Sequence, residues 1–452
     1  MSFILVVVLW KTGMVPAKYI GIASIVLTLL FASVFRSQFC YGLCKWAGMI
    51  ASVLVTAVLL FGIIYINKTN EVIADVGGAT YKTDNMVVVV RTENPAENLM
   101  DVKNSRFGYQ TEMDQANNNL MLEDVQSTVG REIKLIEYET VIEEAQALLE
   151  GRIEAAIYNE AFTGIIEESI EDYSDRVRIL YQYGVDTEIE QEEVSVEEPF
   201  HIYISGIDVS GSITTNSRSD VNIIMTVNPE TKEILLTTTP RDYYVPIPNV
   251  SGDARDKLTH AGIYGVDASM NTLEQLYGID IGYYARVNFT SLIEIVDALG
   301  GVDVNSEYTF SAGGYDFVKG VNHLDGEQAL AFSRERHCFE DGDNQRGKNQ
   351  EAVLTAILRK AMSPAILTSA NQILESVSDC VETNMTRDEM ADFINMQLND
   401  GASWSIESTA ATGRGDKQTC FSSGGALLYV MWPDDAVIGD ISRKMRQVMG
   451  EE

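Results

Sequence analysis

Positive charge is scarce in this chain. Its 452 residues carry 33 Lys and Arg against 66 Asp and Glu, a net charge of -33 at pH 7. Such an acidic chain has no electrostatic reason to bind DNA or RNA, which reward a basic surface, so nucleic acid is excluded as a partner. The charge otherwise describes a solvated surface that resists association, and it names no partner. Repeats and low-complexity tracts are missing beyond the apolar start, so the length reads as two or three distinct folded units. Partner spacing for zinc is missing around His260, His337 and Cys338, which therefore read as incidental to metal binding.

What is present begins with apolar runs. Ile20 to Phe35 is almost entirely apolar, and Ala47 to Ile66 is a second run. A helix needs ~20 such residues to cross hydrocarbon. Phe3 to Trp10 is short and could cross only by extending through Lys11 to Val15. A cleaved signal peptide competes, but the two later runs and the lack of a small-residue cleavage site disfavour it. Lys11 and Lys18 flank one loop and Arg36 and Lys45 the next, so the positive-inside balance leaves orientation open. A body outside the cell, reached from an inside amino terminus, needs an odd number of crossings. Three are expected, giving a multi-pass anchor in the cell membrane with an extracellular body. Cys40 and Cys44 lie between the second and third runs, and Cys338, Cys380 and Cys420 in the body. A Cys380–Cys420 disulfide and three unbridged thiols are both compatible with that spacing.

The expected fold class is α/β and multi-domain, in four stretches. Residues 1–67 form transmembrane helices, 68–186 a small α/β accessory domain, 187–199 an acidic linker, and 200–452 a larger α/β domain with helices covering a central mixed β-sheet. In the accessory stretch Met86 to Val90, Glu132 to Glu137, Ile153 to Tyr158 and Val177 to Tyr183 read as strands. Thr140 to Leu149, with Thr140 as cap, and Glu160 to Tyr173 read as helices. In the larger stretch His201 to Ile207, Val221 to Val227 and Glu233 to Thr238 read as strands, with a hairpin turn at Asn228 to Thr231. Ser291 to Leu299 and Gln350 to Met362 carry apolar residues at helical spacing, the first ending at Gly300 and Gly301.

The chemistry sits in charged residues placed where strands meet loops. Asp208 follows one strand, Arg218 and Asp220 precede the next, and Arg241 and Asp242 end a third; Arg334, Arg336, Asp343 and Arg346 come later. Such positions converge on one edge of a sheet, where open α/β folds bind ligands. Carboxylates hold a hard cation such as Mg²⁺ through oxygen, and guanidinium forks match phosphate oxygens. Singly, each Arg–Asp pair is more often a surface ion pair, and Arg334 and Arg336 could be the outward positions of a strand. Their co-occurrence is what points to a metal-bound polyanion.

The blocks Gly206-Ile-Asp208, Arg218-Ser-Asp220, Pro240-Arg-Asp242, Lys257-Leu-Thr-His260-Ala261, Val296-Asp-Ala-Leu-Gly-Gly-Val-Asp303, Leu324-Asp-Gly-Glu-Gln-Ala-Leu330, Ser333-Arg-Glu-Arg336 and Gly342-Asp-Asn-Gln-Arg346 occur in the order typical of LytR-CpsA-Psr proteins. The chain resembles that family strongly from His201 to Lys360, and the accessory stretch resembles half of a solute-binding protein. The resemblance implies a glycopolymer phosphotransferase, with pyrophosphatase as a side activity. Its donor is a glycan on undecaprenyl pyrophosphate, its acceptor peptidoglycan, and its cargo wall teichoic acid, capsule or a similar polymer. It implies Mg²⁺ or Mn²⁺ on Asp208 and Asp220, pyrophosphate oxygens on Arg241, Arg334, Arg336 and Arg346, and Asp343 supporting those arginines. Arg218 and Lys257 join the substrate contacts, and Asp242 assists deprotonation of the sugar hydroxyl. Phe289, Ile293 and Val296 line a polyprenyl tunnel, although the same helical spacing serves ordinary core packing. Departures from the family pattern are Ser210 and Asn349, each where arginine is usual, and a longer loop from His337 to Gly342. His260 is expected to orient backbone beside Lys257. A membrane-anchored sensor that holds lipid pyrophosphate without turning it over is the alternative.

Overall fold

A computed structural model of the chain describes residues 1–13, 15–39, 41–76, 81–111, 113–188, 195–207, 216–339, 342–361 and 381–451. The apolar start forms three helices, Ser2–Thr12, Ala17–Ser37 and Leu43–Val76. Ala17–Ser37 and the Lys45–Ile64 stretch are long and apolar enough to cross a membrane. The first helix does not extend to Val15 as three crossings would require, because Gly13 ends it at φ 67. At 11 residues it spans roughly 16 Å, about half of a bilayer core.

The next segment folds into a five-stranded sheet of β1 (Tyr81–Arg91), β2 (Arg106–Gln110), β3 (Lys134–Tyr138), β4 (Ala155–Asn159) and β5 (Val177–Glu188), in the order β3-β2-β4-β1-β5. Met86 to Val90 is uninterrupted apolar sequence because β1 is covered on both faces. Met86, Val88 and Val90 pack with Phe107, Met121 and Val125, while Val87 and Val89 pack with Val141, Phe162 and Ile165. Thr140 caps Val141–Leu149 by accepting from the Glu143 N–H at 3.2 Å. The helix expected over Glu160 to Tyr173 is broken into Glu160–Phe162, Thr163–Ser169 and Tyr173–Arg176. Ile170 turns extended and Asp172 takes φ 58, which brings Tyr173 into the core with its hydroxyl 3.1 Å from that of Tyr158.

The second sheet has six strands: β6 (Phe200–Ile207), β7 (Ser219–Asn228), β8 (Glu233–Thr238), Val381–Thr383, Ser405–Ala410, and one more that follows the small hairpin of β9 (Tyr244–Pro246) and β10 (Arg255–Lys257), namely β11 (Tyr283–Val287). Its order is Val381–Thr383, β11, β6, β7, β8, Ser405–Ala410. The turn after β7 forms at Asn228, whose side-chain oxygen accepts from the N–H groups of Glu230 and Thr231 at 2.9 and 3.1 Å. Val266–Tyr277 and Asp435–Met449 bury one face against Tyr203, Ile224 and Leu235. Leu354, Leu358 and Phe393, from two further helices, cover the other against Phe200, Ile234 and Leu236. The central mixed sheet covered by helices is therefore present. Cys420 is a free thiol buried with Tyr244, Leu428 and Val430, so it makes no disulfide, and Cys380 lies outside the described residues.

Candidate active site

Strand directions decide which charged residues can meet. β6 is parallel to β11 and antiparallel to β7, β7 is antiparallel to β8, and β8 is parallel to Ser405–Ala410. The ends of β6, β8 and β11 and the start of β7 therefore lie along one edge. Asp208 and Ser210 follow β6 but lie outside the described residues. Asp220 is the second residue of β7, and Arg241 and Asp242 come just after β8.

Arg241 and Asp220 meet at 3.0 Å, Nη1 to Oδ2. The other Asp220 oxygen accepts from the Thr259 hydroxyl at 3.0 Å. Thr259 is held there because its own N–H donates to the Arg241 carbonyl at 2.8 Å. Asp242 lies between two cations, 3.8 Å from Arg241 Nε and 3.5 Å from Lys257 Nζ. All four charged side chains are mostly buried, so their mutual attraction is screened less than at a surface.

Arg334 and Arg336 are not strand positions. Arg334 ends the helix Gly326–Arg334, Arg336 lies in the loop after it, and Asp343 and Arg346 open the helix Asp343–Ala361. The start of that last helix is pressed onto the end of β8. A Cβ on Gly347 would lie 3.0 Å from the Thr238 side chain, and Glu351 accepts from the Thr238 N–H at 3.1 Å. Asn349, in place of the usual arginine, is buried and donates to the Phe332 carbonyl at 3.2 Å, tying the two helices together. Gly347, the residue after Arg346, thus stands against Thr238, three residues before Arg241. Val296 is fully buried among Phe310, Phe332 and Leu299, which is core packing, while Ile293 is half-buried.

Among the described residues His260 acts on the backbone beside Lys257 through Asp256, whose Oδ1 accepts the Lys257 N–H at 2.8 Å. Its Nδ1 lies 2.6 Å from Asp256 Oδ1 and 2.9 Å from the Ser422 hydroxyl. Both partners share one nitrogen and both are buried, so this is no proton relay of the catalytic-triad kind. Sequence reasoning missed the neighbour on the other side, Glu168, from the Thr163–Ser169 helix beside the first sheet. Its carboxylate lies 3.1 Å from Lys257 Nζ, 3.3 Å from Arg218 Nη1 and 3.7 Å from His260 Nε2. Burial pushes Glu168 up, but His260 and Lys257 outweigh it and bring it down to about 2. Burial pushes His260 down, but Asp256 and Glu168 raise it to about 9. Nothing around Ile165-Ile-Glu-Glu168 in the sequence signals this role; Thr259 and Asp256, adjoining Lys257, were at least within reach of inspection.

A mixed α/β sheet with arginines, a lysine and carboxylates gathered along one edge carries the residue types that hold polyanions. The family model "LytR_cpsA_psr family" matches residues 169–447, and the chain belongs to this family. A relative from Bacillus mycoides (strain KBAB4), "Polyisoprenyl-teichoic acid--peptidoglycan teichoic acid transferase TagU", is 36% identical over 260 residues, covering 57% of this chain and 81% of that protein. Its namesake from Enterococcus faecalis (strain ATCC 700802 / V583) is 39% identical over 202 residues, 44% of this chain and 66% of that one. Among solved structures, the "Crystal structure of B. subtilis TagV" covers 57% of this chain and 99% of its own at 26% identity, with a TM-score of 0.48.

Proposed function

We propose that this chain is a membrane-anchored glycopolymer phosphotransferase, moving a teichoic-acid-like polymer from a polyprenyl-pyrophosphate carrier to peptidoglycan. The observation that carries the reading is the Arg241–Asp220–Asp242–Lys257 cluster at the sheet edge, in a chain whose relatives bear transferase names. Arg241, Arg218 and Lys257, with Arg334, Arg336 and Arg346, bind the pyrophosphate oxygens. Asp242, beside Arg241 and Lys257, accepts the proton of the incoming sugar hydroxyl. That oxygen bonds to the phosphorus that carries the glycan, the pyrophosphate bridge breaks, and polyprenyl phosphate leaves.

Asp208 and Asp220 are the residues for a divalent cation. Among the described residues each Asp220 oxygen has one short partner, at 3.0 Å, and a carboxylate oxygen can accept more than one, as one carboxylate of a Mg²⁺ site shared with phosphate requires. Mg²⁺ or Mn²⁺ bound there supplies charge neutralisation of the pyrophosphate. The polyprenyl chain is assigned to the helix Phe289–Ala298, which follows β11 at the same edge and leaves Ile293 half-buried. Ala17–Ser37 and Lys45–Ile64 supply the anchor, and we place the body on the outer face, where peptidoglycan lies.

The test is transfer of glycan from a synthetic lipid-linked donor to peptidoglycan fragments by the full chain. Turnover with release of polyprenyl phosphate is expected. Donor binding without turnover would make the chain a sensor instead.

A further inference from the structure

The charged partners of Glu168 among the described residues all belong to the second sheet's unit, although Glu168 itself belongs to the first. We propose that Glu168 is a positioning residue, the carboxylate through which the first unit aims Arg218 and Lys257 at the bound pyrophosphate. The proposal rests on the pyrophosphate reading above.

The geometry is specific. Lys257 is 8% exposed, and its ammonium is held between Glu168 at 3.1 Å and Asp242 at 3.5 Å. Arg218 lies along the helix that carries Glu168, one turn earlier, at Gly164. A Cβ there would stand 2.8 Å from Arg218 Nε and 3.0 Å from Cζ, so an added side chain would push the guanidinium aside. Gly164 and Glu168 are four apart and share a helix face, giving a bare shelf and an anion for one arginine.

The first unit grips the same loop at a second point. Asp84 of β1 accepts from the Asn216 side chain at 2.7 Å, two residues before Arg218. It grips the Lys257 segment as well, since Ile263 is buried in the core beneath the first sheet and Tyr264 packs edge-on against Phe162. Gly262 lets the two segments touch, because a Cβ there would sit 2.6 Å from the Ser217 carbonyl oxygen. Glu168 stays ionised through the neutral range, which an aiming anion must do. A long cationic side chain that is already held surrenders less freedom when the anion arrives, so the loss on removing Glu168 falls on binding more than on the chemical step.

The experiment uses the full chain in detergent with Glu168→Ala, Glu168→Gln and Gly164→Ala. Inorganic pyrophosphate with Mg²⁺ is titrated calorimetrically, and KM and kcat are measured with lipid-linked donor. Glu168→Ala is expected to weaken pyrophosphate and raise KM about tenfold, the loss typical of charge-assisted hydrogen bonds, with a smaller change in kcat. Gly164→Ala moves both in the same direction without altering charge. Wild-type pyrophosphate affinity in both overturns the proposal, as does a fall in kcat at unchanged KM. Should Glu168→Ala fail to fold, the isosteric Glu168→Gln decides: intermediate affinity supports the proposal and wild-type affinity overturns it. A wild-type chain whose pyrophosphate binding depends on Glu168, yet which transfers no glycan, keeps this inference and removes the transferase reading. Transfer that is indifferent to Glu168 does the reverse.

Discussion

At 3.0 Å, the Arg241 guanidinium and the Asp220 carboxylate neutralise each other in a mostly buried place. Arg241→Ala therefore removes a phosphate ligand and leaves Asp220 poorly compensated. Transfer is expected to fall roughly a hundredfold or more in kcat/KM, as when one preorganised charge-stabilising donor is lost. A single-turnover assay at wild-type rate would remove Arg241 from the mechanism. The Glu168–His260 pair gives a pH signature in stability. Glu168 is depressed from 4.5 to about 2, so its contribution is present above 4.5 and is lost as pH falls through about 2. His260 is raised from 6.5 to about 9, so its contribution is full below 6.5 and is lost as pH rises through about 9. Melting temperatures should thus decline on both sides of that window, and Glu168→Gln should flatten the acid limb. An unchanged acid limb in that variant would mean that Glu168 is not the titrating group. At this scale the sequence disclosed Asp220, Arg241 and Asp242 as charges at strand ends, and the family resemblance added Lys257. It concealed Glu168, because ion pairs between residues 50 and 89 positions apart leave no periodicity.

The helix Asp343–Ala361 owes its place to its buried face on β8. Glu351 on that face is pushed by burial to about 7, against the hydrogen bond from Thr238 that lowers it. Being a raised carboxyl, it contributes stability that is full below 4.5 and is lost as pH rises through about 7. Glu351→Gln keeps the acceptor for the Thr238 N–H and removes the buried charge. Its melting temperature at pH 8 should match or exceed that of the wild type, and a drop of several degrees would contradict the assignment. Elements with a strong local pattern, such as β6 to β8 and the Thr140-capped helix, were legible from alternation and cap chemistry. The Gln115–Val129 helix and β2 were not, because a polar sequence gains its helix or strand from a few buried side chains such as Met121, Val125 and Phe107. Whether Arg334 stood on a strand was open in the sequence, since two charges with one residue between them fit a strand or the end of a helix equally well.

Across the whole molecule, the two sheets are joined by Glu168, by Asp84 on Asn216, by Lys82 3.5 Å from Asp267, and by Ile263 buried in the first unit's core. A chain cut to residues 200–452 exposes Ile263 and leaves Lys257, Arg218 and His260 without that carboxylate. It should melt well below the full-length body, by the ~3 kcal/mol or more that breaking a buried charge pair costs. Equal melting temperatures would show the units to be independent. The sequence by itself determined the long apolar helices, the mixed sheet of the larger unit and the list of edge charges, since these follow from local hydropathy, period and motif order. Tertiary structure alone decided that Cys420 stays a free thiol and that His260 faces Asp256 and Ser422. It also decided that Glu168 of the first unit meets Arg218 and Lys257 of the second. Each of these depends on which distant surfaces are buried together, and burial between remote segments is a property of the packed chain that no local pattern encodes.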